Sequence, residues 1–142
     1  MKKFIVLIGL TLLLPSCATV PAGDVEPPDE LAKYTITEET ENCLSLTRIR
    51  QSVVLNDQHI LFNMRGGDVY LSKLPYRCSR LGFEEAFSYS TSLTKLCNTD
   101  IITVIDQSGA GLRLANSCGL GIFQKLEEKE AEESTDTEAE LS

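Results

Sequence analysis

The chain of 142 residues has no tryptophan, a single histidine and two methionines, and aromatic residues make up 6% of it. One histidine excludes a multi-histidine metal site. A Ser–His–acid triad would have to use His59 as its base, and no Gly-x-Ser-x-Gly elbow accompanies it. His59 therefore reads as a plain strand residue beside Asp57 and Ile60. Gly109-Ala110-Gly111 and Gly119-Leu120-Gly121 are too short to be phosphate loops, and no Gly-Lys-Ser/Thr follows either. No cofactor is expected. An apolar run of membrane-spanning length is also missing. Phe4–Leu14 spans 11 residues, against about 20 needed to cross the hydrocarbon core.

What the chain does have begins with that short run. Lys2 and Lys3 precede it and Leu14-Pro15-Ser16-Cys17 closes it. A basic start, a short apolar core and a small residue before the cut form a secretory signal. The closing tetrad resembles the lipobox of bacterial lipoproteins. It implies cleavage after Ser16 and a thioether-linked diacylglyceryl group on Cys17. More than one acyl chain is needed for stable anchoring, each buried CH₂ contributing about 0.8 kcal/mol. The resemblance extends to sorting: Ala18, where the lipoprotein rule retains mainly Asp in the inner membrane, directs the protein to the outer membrane, facing the periplasm.

The net charge of −8 is unevenly spread. Residues 17–41 carry −6, residues 42–126 carry +3 and residues 127–142 carry −7. Acidic segments with few large apolar residues cannot bury enough surface to offset chain entropy. The expected organisation is a signal peptide over 1–16, an acidic tether over 17–41, a folded domain over 42–126 and a disordered acidic tail over 127–142. A frayed helix is expected near Leu126–Glu133, where Glu, Lys and Ala favour it. A domain of this size is near the lower limit for an apolar core alone.

Cysteines supply staples. Lipidation takes Cys17 and leaves Cys43, Cys78, Cys97 and Cys118, an even set that reads as two disulfides in an exported domain. A four-cysteine zinc site would need closer pairs than gaps of 35, 19 and 21 residues. Three pairings are possible. Cys43–Cys118 with Cys78–Cys97 is favoured because it joins the domain ends and staples the middle.

Within the domain the pattern is that of strands. Ile60, Phe62 and Met64 alternate with Leu61 and Asn63, Arg65-Gly66-Gly67-Asp68 turns the chain, and Val69 to Ser72 alternates again, which is a hairpin. Gln51–Leu55 is expected to precede it as a strand. Phe87–Thr91 and the β-branched Ile101–Ile105 read as further strands, the latter central and buried. One helical turn fits Phe83–Phe87. Gly119–Phe123 reads as a closing strand whose glycines mark a bulge or a close backbone approach. The fold class is all-β: a small, disulfide-stapled barrel or sandwich of short antiparallel strands.

Cys43-Leu44-Ser45-Leu46, Arg48-Ile49-Arg50, Asp57-Gln58, Met64-Arg65-Gly66-Gly67, Leu74-Pro75 before Arg77-Cys78, Leu96-Cys97 before Asp100-Ile101, and Cys118-Gly119-Leu120-Gly121 before Phe123 form a recognisable order. Together they resemble a family of small exported proteobacterial proteins and lipoproteins of uncharacterised function. The match spans roughly residues 42–124. The resemblance implies no reaction.

Two sets of side chains remain as candidates. Asp57, Asp68, Glu84, Glu85, Asp100 and Asp106 are the domain's carboxylates, and Asp100 before the apolar strand is the one best placed for acid–base work. Most sit where carboxylates bond to local backbone. Arg48, Arg50, Arg65, Arg77 and Arg80 are candidates for contact with an anionic envelope polymer or a partner protein, with Arg48 and Arg50 sharing a face if extended. Nucleic acid is not an expected partner for an anchored, exported protein. The expectation is a lipid-anchored envelope module that binds rather than catalyses. The alternatives are an inhibitor of an envelope-directed hydrolase such as lysozyme, with Ser108-Gly109-Ala110-Gly111 entering the cleft, and then a carboxylate-based enzyme.

Overall fold

The computed structural model describes residues 25–91, 94–109 and 111–129. The expected signal, Cys17 and the segment from residue 130 onward lie outside the described residues.

Among the described residues, ten strands form three antiparallel sheets. They are β1 (Tyr34–Glu41), β2 (Cys43–Ser45), β3 (Ile49–Val54), β4 (His59–Met64), β5 (Val69–Lys73), β6 (Phe87–Tyr89), β7 (Lys95–Cys97), β8 (Ile101–Asp106), β9 (Arg113–Gly119) and β10 (Phe123–Glu128). The larger sheet runs β1-β10-β5-β4-β3, a second pairs β2 with β7, and the third runs β6-β8-β9. One short helix, α1 (Leu81–Glu84), precedes β6. The fold is all-β, and its sheets do not close into a barrel.

The β4–β5 hairpin forms as its alternation requires. Ile60, Phe62 and Met64 point into the main core, while Leu61 joins Tyr34, Leu71 and Leu126 on the opposite face of the sheet. Gly66 and Gly67 both take positive φ in the turn, which explains the Gly-Gly pair. Phe62 and Phe123 meet edge to face, ring centroids 5.4 Å apart, and tie β4 to β10 across β5. From the third sheet, Ile102 and Val104 of β8 enter the same core. Sheet packs against sheet in the manner of a sandwich.

Several expected boundaries move. Residues 29–41 are not tether: Asp29–Lys33 is a 3-10 turn and β1 is an edge strand paired with β10 from Tyr34↔Glu128 to Glu41↔Phe123. Leu126–Glu128 is strand, not the start of a helix, because pairing with β1 overrides the helix preference of Glu and Lys. Gly119 ends β9 and Phe123 starts β10, so Gly119–Phe123 is a connection and not a closing strand. Its glycine does mark a close approach, because a Cβ on Gly121 would sit 1.8 Å from the Lys73 carbonyl oxygen.

The disulfides are Cys43–Cys97 and Cys78–Cys118, which corrects the favoured pairing. Cys43 lies directly opposite Cys97 in the β2–β7 register. Cys118 is not near the end of the fold, because β10 follows it. The ends are joined instead by the hydrogen bonds of β1 and β10, and Cys118 staples β9 to the buried Cys78.

Candidate functional site

The turn between β3 and β4 is a polar hub that holds the fold. Asn56 Oδ1 accepts the backbone N–H groups of Gln58 and His59, at 2.8 and 2.9 Å, and lies 3.0 Å from His59 Nδ1, which must therefore carry the proton. His59 is 2% exposed. It is a structural strand residue. Asp57 accepts from Gly82 N–H at 2.9 Å and from Arg77 Nε at 2.9 Å. Gln58 donates to the Leu74 carbonyl at 3.0 Å, and its Oε1 accepts from Val25 N–H at 2.8 Å, which docks the end of the acidic tether.

The five arginines do not act as one set. Arg48 faces Asp68 at 3.7 Å, Arg77 pairs with Asp57 at 2.9 Å, and Arg80 bridges Glu84 and Asp106. Arg48 sits in a 3-10 turn and Arg50 at a bulge in β3, so they do not lie on one extended stretch. Arg48 and Arg65 adjoin through the Arg65 N–H to the Arg48 carbonyl, at 2.6 Å. Among the described residues, only Arg50 and Arg65 of the five form no ion pair with a carboxylate.

The carboxylates are similarly engaged. Asp100 Oδ2 accepts the Cys97 N–H at 2.7 Å and closes the β7–β8 turn. Of the six candidate carboxylates, Glu84 and Asp106 are brought together, both held by Arg80. Glu84 is buried and also accepts from the Gln107 N–H at 2.9 Å. The Ser108 hydroxyl and N–H bond to Asp106 and, with Arg80 nearby, hold its carboxyl below the ordinary value. On the larger sheet, Lys125 bridges Glu39 and Asp68, and the Glu39 hydrogen bond holds its ammonium above the ordinary range. Desolvation, with Asp68 and Glu41 beside it, raises Tyr70. No grouping of His, Cys, Asp and Glu suited to a metal occurs among the described residues.

What the ion pairs leave open is the outward face of the β6-β8-β9 sheet. Here a cleft of about 480 Å³ opens beside Ser88, Asp100, Ile101, Thr103 and Leu114. Thr103 lies opposite Ser88 on one side and Ser117 on the other, so three hydroxyls form a row across three strands. Thr103 Oγ1 and Ser117 Oγ are 3.0 Å apart. The neighbours Ile102 and Val104 are fully buried, which fixes the row as outward-facing. Ile101 and Leu114 flank it, 58% and 73% exposed. Sequence reasoning missed this face because β9 has little apolar patterning; the Ser, Thr and Ser only align once the register is known.

The hairpin that follows β8 is braced at its base. Arg80 reaches Ser108 Oγ at 3.2 Å as well as Asp106, and Leu112 beyond it is exposed.

No helix among the described residues is long and apolar enough to cross a membrane. Neither the curated proteins nor the solved structures contain a match to this chain. A family model does match it, over residues 1–142, and the chain belongs to the family described as a family of unknown function, DUF6491.

Proposed function

We propose that this is a lipid-anchored envelope lipoprotein whose β domain acts by binding, through the outward face of the β6-β8-β9 sheet. The observation that carries the reading is the make-up of that face, an uncharged hydroxyl row and a cleft flanked by exposed apolar side chains. Elsewhere, the buried polar side chains, Arg48, Arg77 and Arg80, and Asp57, Asp68, Glu84 and Asp106 are committed to internal contacts. On this face the large apolar side chains Ile101 and Leu114 stand exposed beside an uncharged hydroxyl row. Exposed apolar groups rimmed by polar ones mark interaction sites. The anchor is supported by the lipobox resemblance at Leu14–Cys17.

The test is photo-crosslinking in cells with a photoreactive residue at position 114, and at position 76 as a comparison outside the face. Capture of the same partner or polymer from 114 and not from 76 supports the reading, and equal capture from both refutes it. Cys17→Ser should abolish acyl labelling and cleavage after Ser16, leaving the longer precursor. Acyl labelling that persists in Cys17→Ser would refute the anchor.

A second reading is favoured by the braced hairpin. Arg80, Asp106 and Ser108 fix the base of this loop, and inhibitors that enter a hydrolase cleft gain affinity from pre-organisation of that kind. Excess protein added to a lysozyme lysis assay should slow lysis, and Leu112→Asp should relieve the block. Undiminished lysis removes this reading.

A further inference from the structure

From the cleft on the β6-β8-β9 sheet we infer a binding subsite for an uncharged sugar chain. The inference rests on that face being the contact surface and names what it contacts.

The argument is chemical. Ser88 and Thr103 line the cleft and Ser117 continues their row beside it; Ser88 Oγ donates to the Thr103 carbonyl at 3.5 Å and Thr103 and Ser117 share one hydrogen bond, so the row offers a ligand three acceptor oxygens and one hydroxyl hydrogen. They are spaced by the strand repeat, so the row spans two repeats, roughly 10 Å. That is the scale of two linked sugar rings. Ile101 and Leu114 provide apolar surface for the C–H faces of the rings. Asp100, on the rim, uses Oδ2 for the Cys97 N–H and leaves Oδ1 to accept from a ligand hydroxyl.

Other ligands fit less well. A phosphate or carboxylate would meet no Arg or Lys in the lining, and Asp100 would repel it. An acyl chain would strip water from the hydroxyl row and return no hydrogen bond. An added β-strand would pair along the free edge of β6 or β9 and leave this face untouched. A sugar satisfies both the hydroxyls and the apolar flanks.

The experiment titrates the full-length protein in detergent with two neutral probes, a chitotetraose and a cellotetraose, followed by NMR or calorimetry. Saturable binding with Kd near or below about 1 mM is expected for at least one. Binding of the first alone assigns an amino-sugar chain; binding of both assigns ring chemistry without the acetamido group. Thr103→Val keeps the β-branched shape and removes the hydroxyl, and should weaken binding about tenfold. Thr103→Ser should restore it, which separates loss of the hydroxyl from loss of fold. If neither probe binds while position 114 still crosslinks selectively in cells, the sugar assignment falls and the contact surface stands. If neither occurs, both fall. Binding unchanged by Thr103→Val also overturns the assignment.

Discussion

The hydroxyl of Ser72 bonds to Gly121 twice, donating to its carbonyl at 3.0 Å and accepting its N–H at 3.1 Å. Both groups lie where the chain crosses from β9 to β10 over the buried end of β5. Ser72→Ala removes the side-chain partner of both backbone groups of the half-buried Gly121. The expected loss is about 1–3 kcal/mol in urea unfolding. Gly121→Ala should cost more, about 3 kcal/mol or beyond, because its Cβ would collide with the Lys73 carbonyl. A Gly121→Ala protein as stable as the wild type would contradict this packing.

Non-reducing peptide mapping should recover Cys43 with Cys97 and Cys78 with Cys118. The bridges span sequence separations of 54 and 40 residues. Loop-closure entropy then assigns each about 4 kcal/mol, so replacing either pair by alanines should lower the unfolding free energy by up to that amount. Recovery of a Cys43–Cys118 peptide would refute the pairing.

Asp57 and Arg77 share an ion pair but not its consequences. The Arg77 side chain is 66% exposed and that of Asp57 14%. Losing an exposed partner of this kind costs about 0–1 kcal/mol. Losing Asp57 also strands the Gly82 N–H, at about 1–3 kcal/mol. Asp57→Ala should therefore unfold well before Arg77→Ala in the same denaturant series; the reverse order would refute the hub.

Asp106 sets an acid dependence. Its carboxyl is held below the ordinary 3.8, first by the Ser108 hydroxyl, then by the Ser108 N–H and the nearby Arg80 and Arg113. A lowered folded value means the contribution is present above pH 3.8 and is lost as pH falls through the folded value. Carboxyl NMR titration of Ser108→Ala should show the midpoint rising toward 3.8. A midpoint that does not move would remove the Ser108 hydroxyl as its cause.

The elements legible in the sequence are those whose side chains alternate against a core. The β4–β5 hairpin and β8 were readable because Ile60, Phe62, Met64, Ile102 and Val104 supply one buried face each. β1 was not, because Thr35–Glu41 holds one large apolar residue, Ile36, itself exposed; its stability comes from backbone pairing with β10. The β-branched Thr35, Thr37 and Thr40 were the available signal. The cysteine pairing depended on β2 and β7, strands of three residues each, too short to show a period. The hydroxyl row was invisible for a related reason. Ser88, Thr103 and Ser117 are ordinary residues until three strands bring them into register.

The pairing of β1 with β10 has a mechanical consequence. Tyr34 lies opposite Glu128, and the Lys129 N–H bonds to the Lys33 carbonyl at 2.9 Å, so the start of β1 and the end of β10 meet at one corner. A load applied between residues 33 and 129 would open these hydrogen bonds one at a time, like a zip, instead of shearing them together. This strand pair therefore yields readily to a pull between residues 33 and 129, and a covalent link between those two positions would remove that weakness without crossing the rest of the fold.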